Sequence, residues 1–441
     1  MAPKNRKAFL IILSVFFVLI MITLIIVLTQ KGKIVNANAG GKDSSSKTTQ
    51  QSESKENTSK EPETTMTTTQ TTSQTSGTTT TRPKATKPKP TTTKPSTTAK
   101  PVYPPVIHNN IKGVWISYLD LSSFKNKNQS TFTSEMSSTL DNVKNKGLNT
   151  VILQVRSHSD AIYPSEYFPW SRFITSSISS GPGYDPLDII ISLAHSKGLS
   201  VHAWVNPYRV MTDTDFANVG NSFKTKQWYD SPTRTNYMIQ YQSYWYLKPG
   251  NIEVRQLIID GIAEIVSKYN VDAIHFDDYF YITNPSEYGD TPAQAKSNNT
   301  ELVRGTYQRI KSIRPSVLFG ISPFGAFNSG NTLPTTDTKY ISTDLALWCN
   351  NPGYIDYVMP QIYWKRGHSS QDFSRVLKQW RDFVKCNSVA LYTGLALYKQ
   401  DPSEKSDPFP AGEIQGQVSE INTTGYSSGF CLFRYKFINN F

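Results

Sequence analysis

The pattern of apolar and polar positions divides the chain into three stretches. Residues 8–28 (AFLIILSVFFVLIMITLIIVL) form an uncharged run of 21. At about 1.5 Å per residue, such a run crosses a hydrocarbon core of about 30 Å. Residues 29–105 show no periodicity and consist largely of Thr, Ser, Lys and Pro, as in TTSQTSGTTTTRPKATKPKP. From residue 106 onward, short β-rich runs alternate with segments whose apolar residues recur at helical spacing. The pattern predicts strands over 113–117, 150–156, 200–206, 272–277, 317–322, 356–363, 389–395 and 429–434. Between them, PLDIIISLAHSKG and EVRQLIIDGIAEIVSKYN read as helices that stop near Gly or Asn. Alternating βα units imply a parallel sheet, and eight of them imply an α/β fold of the (β/α)8 TIM-barrel type over 106–441. That span exceeds the roughly 250 residues typical of such barrels, so enlarged βα loops are expected. The largest, over 210–250, contains Trp228, Tyr229, Tyr237, Tyr241, Tyr244, Trp245 and Tyr246. These aromatics suit either sugar stacking or a satellite core.

The N-terminal stretches predict an address rather than a core. Residues 1–7 read as a basic cytoplasmic tail and 8–28 as an uncleaved transmembrane anchor, giving a single-pass cell-membrane protein with its C-terminal domain extracytoplasmic. The alternative is secretion after cleavage near Ala37, Asn38 and Ala39, an A-x-A triplet lying well beyond the apolar run. Residues 29–105 bury too little apolar surface to offset the entropy of ordering, and read as a disordered Thr/Ser/Pro/Lys-rich linker.

Charge sharpens this division. The first 105 residues carry 15 of the 46 Lys and Arg but 5 of the 34 Asp and Glu, so ten of the twelve net positive charges sit there. A basic linker is drawn to polyanions such as wall polymers or lipid headgroups, or is simply solvated. The nearly neutral remainder carries no nucleic-acid recognition motif, which argues against a nucleic-acid partner. Three cysteines, Cys349, Cys386 and Cys431, provide neither a disulfide framework nor zinc-ligand spacing. An extracytoplasmic chain so poor in cysteine suits a bacterium.

The chemistry concentrates in VDAIHFDDYFY, over 271–281, where a strand-like run ends in two acids followed by aromatics. Alternation puts His275 and Asp277 on the barrel interior, with Ile274 and Phe276 facing the helices and Asp278 at the strand-to-loop turn. The same test selects Gln154, Arg156 and His158 after strand two, His202, Trp204 and Asn206 on strand three, Ser322 on strand five, and Gln361 and Tyr363 on strand six. Barrel enzymes place their active sites at these C-terminal strand ends. Arg156 is expected beside Asp277 or a substrate hydroxyl, or in a structural ion pair. His158, His202 and His275 are metal-ligand types, but strand one reads WIS and lacks the paired H-x-H of many metal-dependent barrel hydrolases. No metal and no cofactor are therefore expected.

Taken together, GVWISYLD at Gly113, GLNTVILQVRSHSDAIYPSEYFPWS at Gly147, GYDPLDIIISLAHSKGLSVHAWVNPYRV at Gly183, the segment from Tyr246 through HFDDYFY, and YVMPQIYW at Tyr357 resemble the glycosyl-hydrolase-like 10 family, formerly domain of unknown function 187. The resemblance implies a TIM-barrel glycoside hydrolase acting on bacterial cell-wall glycan, including peptidoglycan strands stripped of stem peptides. Carried onto this sequence, HFDDYF implies the catalytic acid at Asp277 with Asp278 beside it and Tyr279 in the substrate site. QVR and NPYR imply Arg156, Asn206 and Arg209 in the pocket, and PQIYW implies Gln361, Tyr363 and Trp364.

Glycosidic cleavage ordinarily uses two carboxyl groups. With Asp277 as the first, the second is open among Asp278, Asp120 after strand one, and Glu166 after strand two; Asp120 is also a rim candidate for substrate contact. A 2-acetamido substrate offers another route, its own amide acting as nucleophile beside one acid and Tyr363. The competing readings are a non-catalytic wall-glycan-binding barrel and a metal-dependent polysaccharide deacetylase.

Overall fold

The computed structural model describes residues 104–441 except 279, 329–331 and 335–336. The expected basic tail, the anchor and the linker up to residue 103 lie outside the described residues, as does Tyr279. Among the described residues no helix is long and apolar enough to cross a membrane.

Eight parallel staves form the sheet: β1 Ile111–Ile116, β2 Thr150–Arg156, β3 Ser200–Val205, β4 Ala273–Phe276, β5 Leu318–Ile321, β6 Tyr357–Val358, β7 in two pieces (Ala390–Leu391 and Thr393–Leu395), and β8 Gly429–Leu432. Each pairs in parallel with its neighbour in chain order, and β8 pairs with β1. Tyr392 separates the two pieces of β7. There the chain continues the ladder from β6, with Tyr392 N–H donating to Val358 O at 2.9 Å and Gly394 N–H to Pro360 O at 2.9 Å. The result is a (β/α)8-type barrel.

Helices follow seven of the staves: α1 Gln129–Asn145, α2 Pro186–Ser196, α3 Ile252–Lys268, α4 Pro292–Ile313, α5 Leu345–Asn350, α6 Phe373–Phe383 and α7 Glu413–Thr424. A 3-10 turn, Tyr435–Asn440, stands where an eighth helix would be. Asp185 caps α2 through Asp188 N–H, and Pro186 occupies its first turn, where a missing N–H costs nothing.

The strand period of two separates two apolar layers. Ile111, Trp115, Ile152, Trp204, Ala273, Tyr357, Met359, Tyr392 and Cys431 fill the barrel axis. Val114, Val151, Ile274, Phe276 and Phe319 belong instead to the larger core shared with Ile258, Ile262 and Ile265 of α3. Gly320 permits this packing, because a Cβ there would collide with the Tyr357 ring. Beneath the mouth, a buried polar chain crosses the axis. Trp115 Nε1–H reaches His275 Nε2 at 3.4 Å; His275 Nδ1 and His202 Nδ1 meet Tyr357 Oη at 2.9 and 3.0 Å. Indole nitrogen only donates, so neutral His275 carries its proton on Nδ1 and gives it to Tyr357, whose hydroxyl then donates to His202. Burial holds His275 well below the usual imidazole range and lowers His202 to about 4.

The β3–α3 excursion contains a hairpin, Met238–Tyr241 with Tyr244–Leu247. Its aromatics mostly pack on one another: Trp228 stacks on Tyr237 at 4.8 Å and Phe216 on Tyr229 at 4.1 Å, with Arg234 over Tyr229 at 4.1 Å. Asp213 ties the cluster together by accepting from Trp245 Nε1 and Tyr229 Oη, and these bonds lower its pKa. This part of the loop is packing rather than a free sugar platform, and Phe216, Trp228 and Trp245 belong to the larger core instead of a satellite one.

Candidate active site

At the C-terminal end of β4 the expected alternation holds. Ile274 and Phe276 enter the outer core, while Asp277 turns to the mouth of the barrel. Trp204 Nε1 and Asn206 Nδ2, both supplied by the end of β3, donate to Asp277 Oδ2 at 3.1 and 2.6 Å. Asn206 is itself oriented: its Oδ1 accepts from Gln154 Nε2 at 2.5 Å, and Gln154 Oε1 accepts from Tyr118 N–H at 2.9 Å. Two N–H donors occupy the lone pairs of Oδ2, so any proton that Asp277 carries resides on Oδ1.

Asp277 and Asp278 both line a cleft of about 320 Å³. Gln361 Nε2 links Asp278 Oδ1, at 3.4 Å, to Ser322 O, at 3.0 Å. Tyr363, half-buried between the rings of Tyr398 and Phe433, has its pKa pushed well up by burial, then by Tyr398, Asp278, Cys431 and Asp277, so its hydroxyl stays protonated as a donor. Trp115, Trp204 and Phe433 make the rest of the wall largely aromatic, and Ser322 Oγ is buried there without a hydrogen-bond partner among the described residues. Two carboxylates, a neutral phenol and aromatic faces in one cleft can protonate, orient and stack a sugar.

The Glycosyl hydrolase-like 10 family model matches residues 110–298 and 290–410. The chain belongs to this family. Glycosyl hydrolase DigH of Escherichia coli (strain K12) is 33% identical over 372 residues, covering 75% of this chain and 84% of that protein. Glycosyl hydrolase YngK of Bacillus subtilis (strain 168) is 34% identical over 319 residues, covering 66% and 61%. Among solved structures, the PgaB (BpsB) glycoside hydrolase domain from Bordetella bronchiseptica superposes with a TM-score of 0.48 at 10% identity, covering 75% of this chain and 96% of that one.

Against the resemblance to this glycosyl-hydrolase-like family, the structure sorts the residues expected in the pocket. It gathers Asp277, Asp278, Trp204, Arg209, Ser322, Gln361 and Tyr363 around the cleft, with Asn206 behind Asp277. Arg156 lies elsewhere. A bulge between Gln154 and Arg156 shifts the register so that Arg156 pairs with Val205, a residue of the outer core. Its guanidinium lies over Phe168 at 4.3 Å, beside Gly261 of α3, where a Cβ would press on both. Burial lowers its pKa to about 10, partly offset by Tyr163, Glu264 and Asp160.

His158 follows the same bulge away from the cleft and packs edge-on to Tyr118 at 5.0 Å and against Phe173 and Tyr244. Burial, then Arg209 and Arg172, hold its pKa well down. His202 and His275 belong to the axial chain below the site rather than to the lining. Trp364 packs on Phe324 at 5.5 Å on the outer side. Asp120 is a structural carboxylate: it closes a capping box with Ser117 and pairs with Arg434 Nη1 at 2.7 Å. Glu166 sits on the outer surface, 76% exposed and paired with Lys268. Among the described residues no group of three or more His, Cys, Asp or Glu is arranged to hold a metal ion.

Sequence reading missed Trp115, Ser117, Tyr118, Leu119, Tyr398 and Phe433 in the lining. Trp115 and Phe433 have inward parity on β1 and just beyond β8, so the alternation test extended to those strands would have found them. Tyr118 and Leu119 lie in a one-turn helix, Tyr118–Leu121, and Tyr398 in a 3-10 turn, Leu397–Gln400, both too short to carry a periodic signal.

Proposed function

We propose that this glycosyl-hydrolase-like protein is a glycoside hydrolase that cleaves bacterial cell-wall glycan containing 2-acetamido sugars, with Asp277 as its acid. The observation that carries this reading is the pairing of Asp277 and Asp278 in one cleft, with Asp277 Oδ2 held by Trp204 and Asn206. Asp277 gives the Oδ1 proton to the leaving oxygen, and the two N–H donors strengthen as negative charge develops on the carboxylate.

Asp120 and Glu166 are engaged elsewhere, which leaves Asp278 as the second carboxylate among the lining residues. Consecutive residues have Cα atoms about 3.8 Å apart and present their carboxyls from one wall. A nucleophile or water activated from the opposite face of the sugar does not come naturally from that placement. The substrate's own acetamido oxygen does, with Asp278 accepting the amide N–H and Tyr363 donating its hydroxyl. In this reading the domain works outside the cytoplasm, tethered through 8–28 and the 29–105 linker.

The test uses the full chain in detergent, with Asp277→Asn and Asp278→Asn, on intact and peptide-stripped peptidoglycan, reading soluble saccharides by mass spectrometry. Saccharides released by wild type and by neither variant support the hydrolase. Competitive inhibition by a thiazoline analogue of N-acetylglucosamine supports acetamido participation. Binding without release by a folded wild type would replace the hydrolase with a glycan-binding barrel.

A further inference from the structure

The three cysteines are all thiols, but they lie in two different places. Cys431 is buried on the barrel axis, in the inner layer with Trp115 and Tyr392. The other two stand on the helix side, in consecutive βα units. Cys349 is in the last turn of α5, and Cys386 is in the coil between α6 and the first piece of β7. Their chain neighbours are joined, because Lys385 N–H donates to Asn350 Oδ1 at 2.8 Å. Cys349 is fully buried in the outer core, and half-buried Cys386 packs against that core with its Sγ 3.1 Å from Ser388 Oγ. Burial, then the nearby Cys386, push the Cys349 thiol well up. A surface cleft of about 390 Å³ opens at the same place, lined by Asn350, Gln379, Asp382, Phe383 and Lys385, and leaves the coil after α6 room to shift.

We infer that Cys349 and Cys386 are a disulfide-forming pair, which a low-molecular-weight disulfide converts into a covalent staple between the ends of α5 and α6. Such a bridge needs Cα atoms about 5.5 Å apart. Cys386 reaches that separation by movement of its coil, since neither helix has to unwind and the cleft beside it is open. Cys386 is the more accessible of the two, so its thiolate attacks the donor disulfide, forms a mixed disulfide and releases one donor thiolate. Cys349 then gives up its proton, and its sulfur attacks Cys386 Sγ and expels the second donor thiolate. Two protein thiols are oxidised, one donor disulfide is reduced, and the two protons end on the donor thiols. The second step is the slow one, because burial opposes the Cys349 thiolate. Helices α5 and α6 follow the staves whose ends carry Ser322 and Gln361, so the staple braces that side of the barrel.

The experiment uses the full chain in detergent, whose only cysteines are these three. One arm exposes the folded protein to oxidised glutathione for hours; the other refolds it from urea in a glutathione redox buffer. Free thiols are counted after denaturation, and tryptic peptides 340–365 and 386–399 are sought as a linked pair by mass spectrometry. One remaining thiol and a linked pair that reduction separates are expected. The melting temperature should stand about 5 °C above that of the reduced protein, the scale of closing a loop across the 36 residues between the two cysteines in a domain of this size. Cys349→Ala and Cys386→Ser should each abolish the link and make melting insensitive to dithiothreitol, while Cys431→Ala should preserve both. Three thiols in both arms, glutathione adducts without the linked pair, or a link that uses Cys431 would overturn the inference. So would a Cys349–Cys386 link that leaves the melting temperature unchanged or lowers it.

Discussion

The ends of β2 and β4 carry the same signature, polar side chains following an apolar strand, yet they do different work. At β4 the alternation continues from His275 to Asp277 and delivers the carboxylate to the cleft. At β2 it fails after Gln154, because one bulge moves Arg156 into register with Val205 and turns it into the helix layer. A slip of one residue exchanges the two faces of a strand. Polar character at a strand end thus identifies a region, whereas the register identifies the residue.

Substitutions can break or sharpen this contrast. The largest expected effect is at Asp277: Asp277→Asn should lower kcat by about 10³-fold or more with unchanged thermal stability, as measured by saccharide release beside a melting curve. Next is the axial chain between the two strand ends. His202 falls from the ordinary 6.5 to about 4 on folding because burial disfavours its charge. The unfolded chain then binds the extra proton, so the stability contributed by neutral His202 is full above pH 6.5 and is lost as pH falls toward 4. The loss is about 3 kcal/mol, and His275, shifted in the same direction, adds to it. Urea midpoints measured between pH 4 and 7 should show this slope, and His202→Gln should flatten it.

A smaller effect is expected at Asn206, which holds Asp277 without lining the cleft. Asn206→Ala should reduce kcat by about 10- to 100-fold and leave KM nearly unchanged, because one donor to the developing carboxylate is lost. The smallest is at Arg156. Neither of its Nη groups has a hydrogen-bond partner among the described residues, and burying the charge is costly. Arg156→Met should therefore leave turnover intact and shift unfolding free energy by no more than about 1 kcal/mol. A large fall in kcat for this variant would return Arg156 to the chemistry and erase the distinction between the two strand ends.

All eight staves were legible in the sequence, because Val, Ile and aromatic runs bounded by turn residues leave few other ways to bury apolar surface. Parts of the site were legible for the same reason: Trp204, Asp277, Ser322 and Gln361 of the lining, and Asn206 behind Asp277, all follow from parity at strand ends. Asp120 and Glu166 were not separable from Asp278 in this way. Their roles were settled by partners distant in the chain: Arg434 Nη1 beside Asp120 at 2.7 Å and Lys268 beside Glu166 at 2.7 Å. The aromatic excursion after β3 was equally ambiguous, since stacking on a sugar and stacking on a neighbour require the same side chains. The pairs Trp228 with Tyr237 and Phe216 with Tyr229 show that much of it packs internally.

The sequence by itself determined the barrel, the near neutrality of residues 106–441 and the position of the acidic pair on β4, because each rests on local period or composition. Tertiary structure decided which polar groups meet. It turned Arg156 and His158 away through one bulge, spent Asp120 on a cap, and brought Tyr118 and Tyr398 from short helical turns far apart in the chain to the same cleft. The physical reason is that side-chain direction depends on register and on contacts between residues far apart in the chain, and neither is carried by the spacing of apolar residues along it.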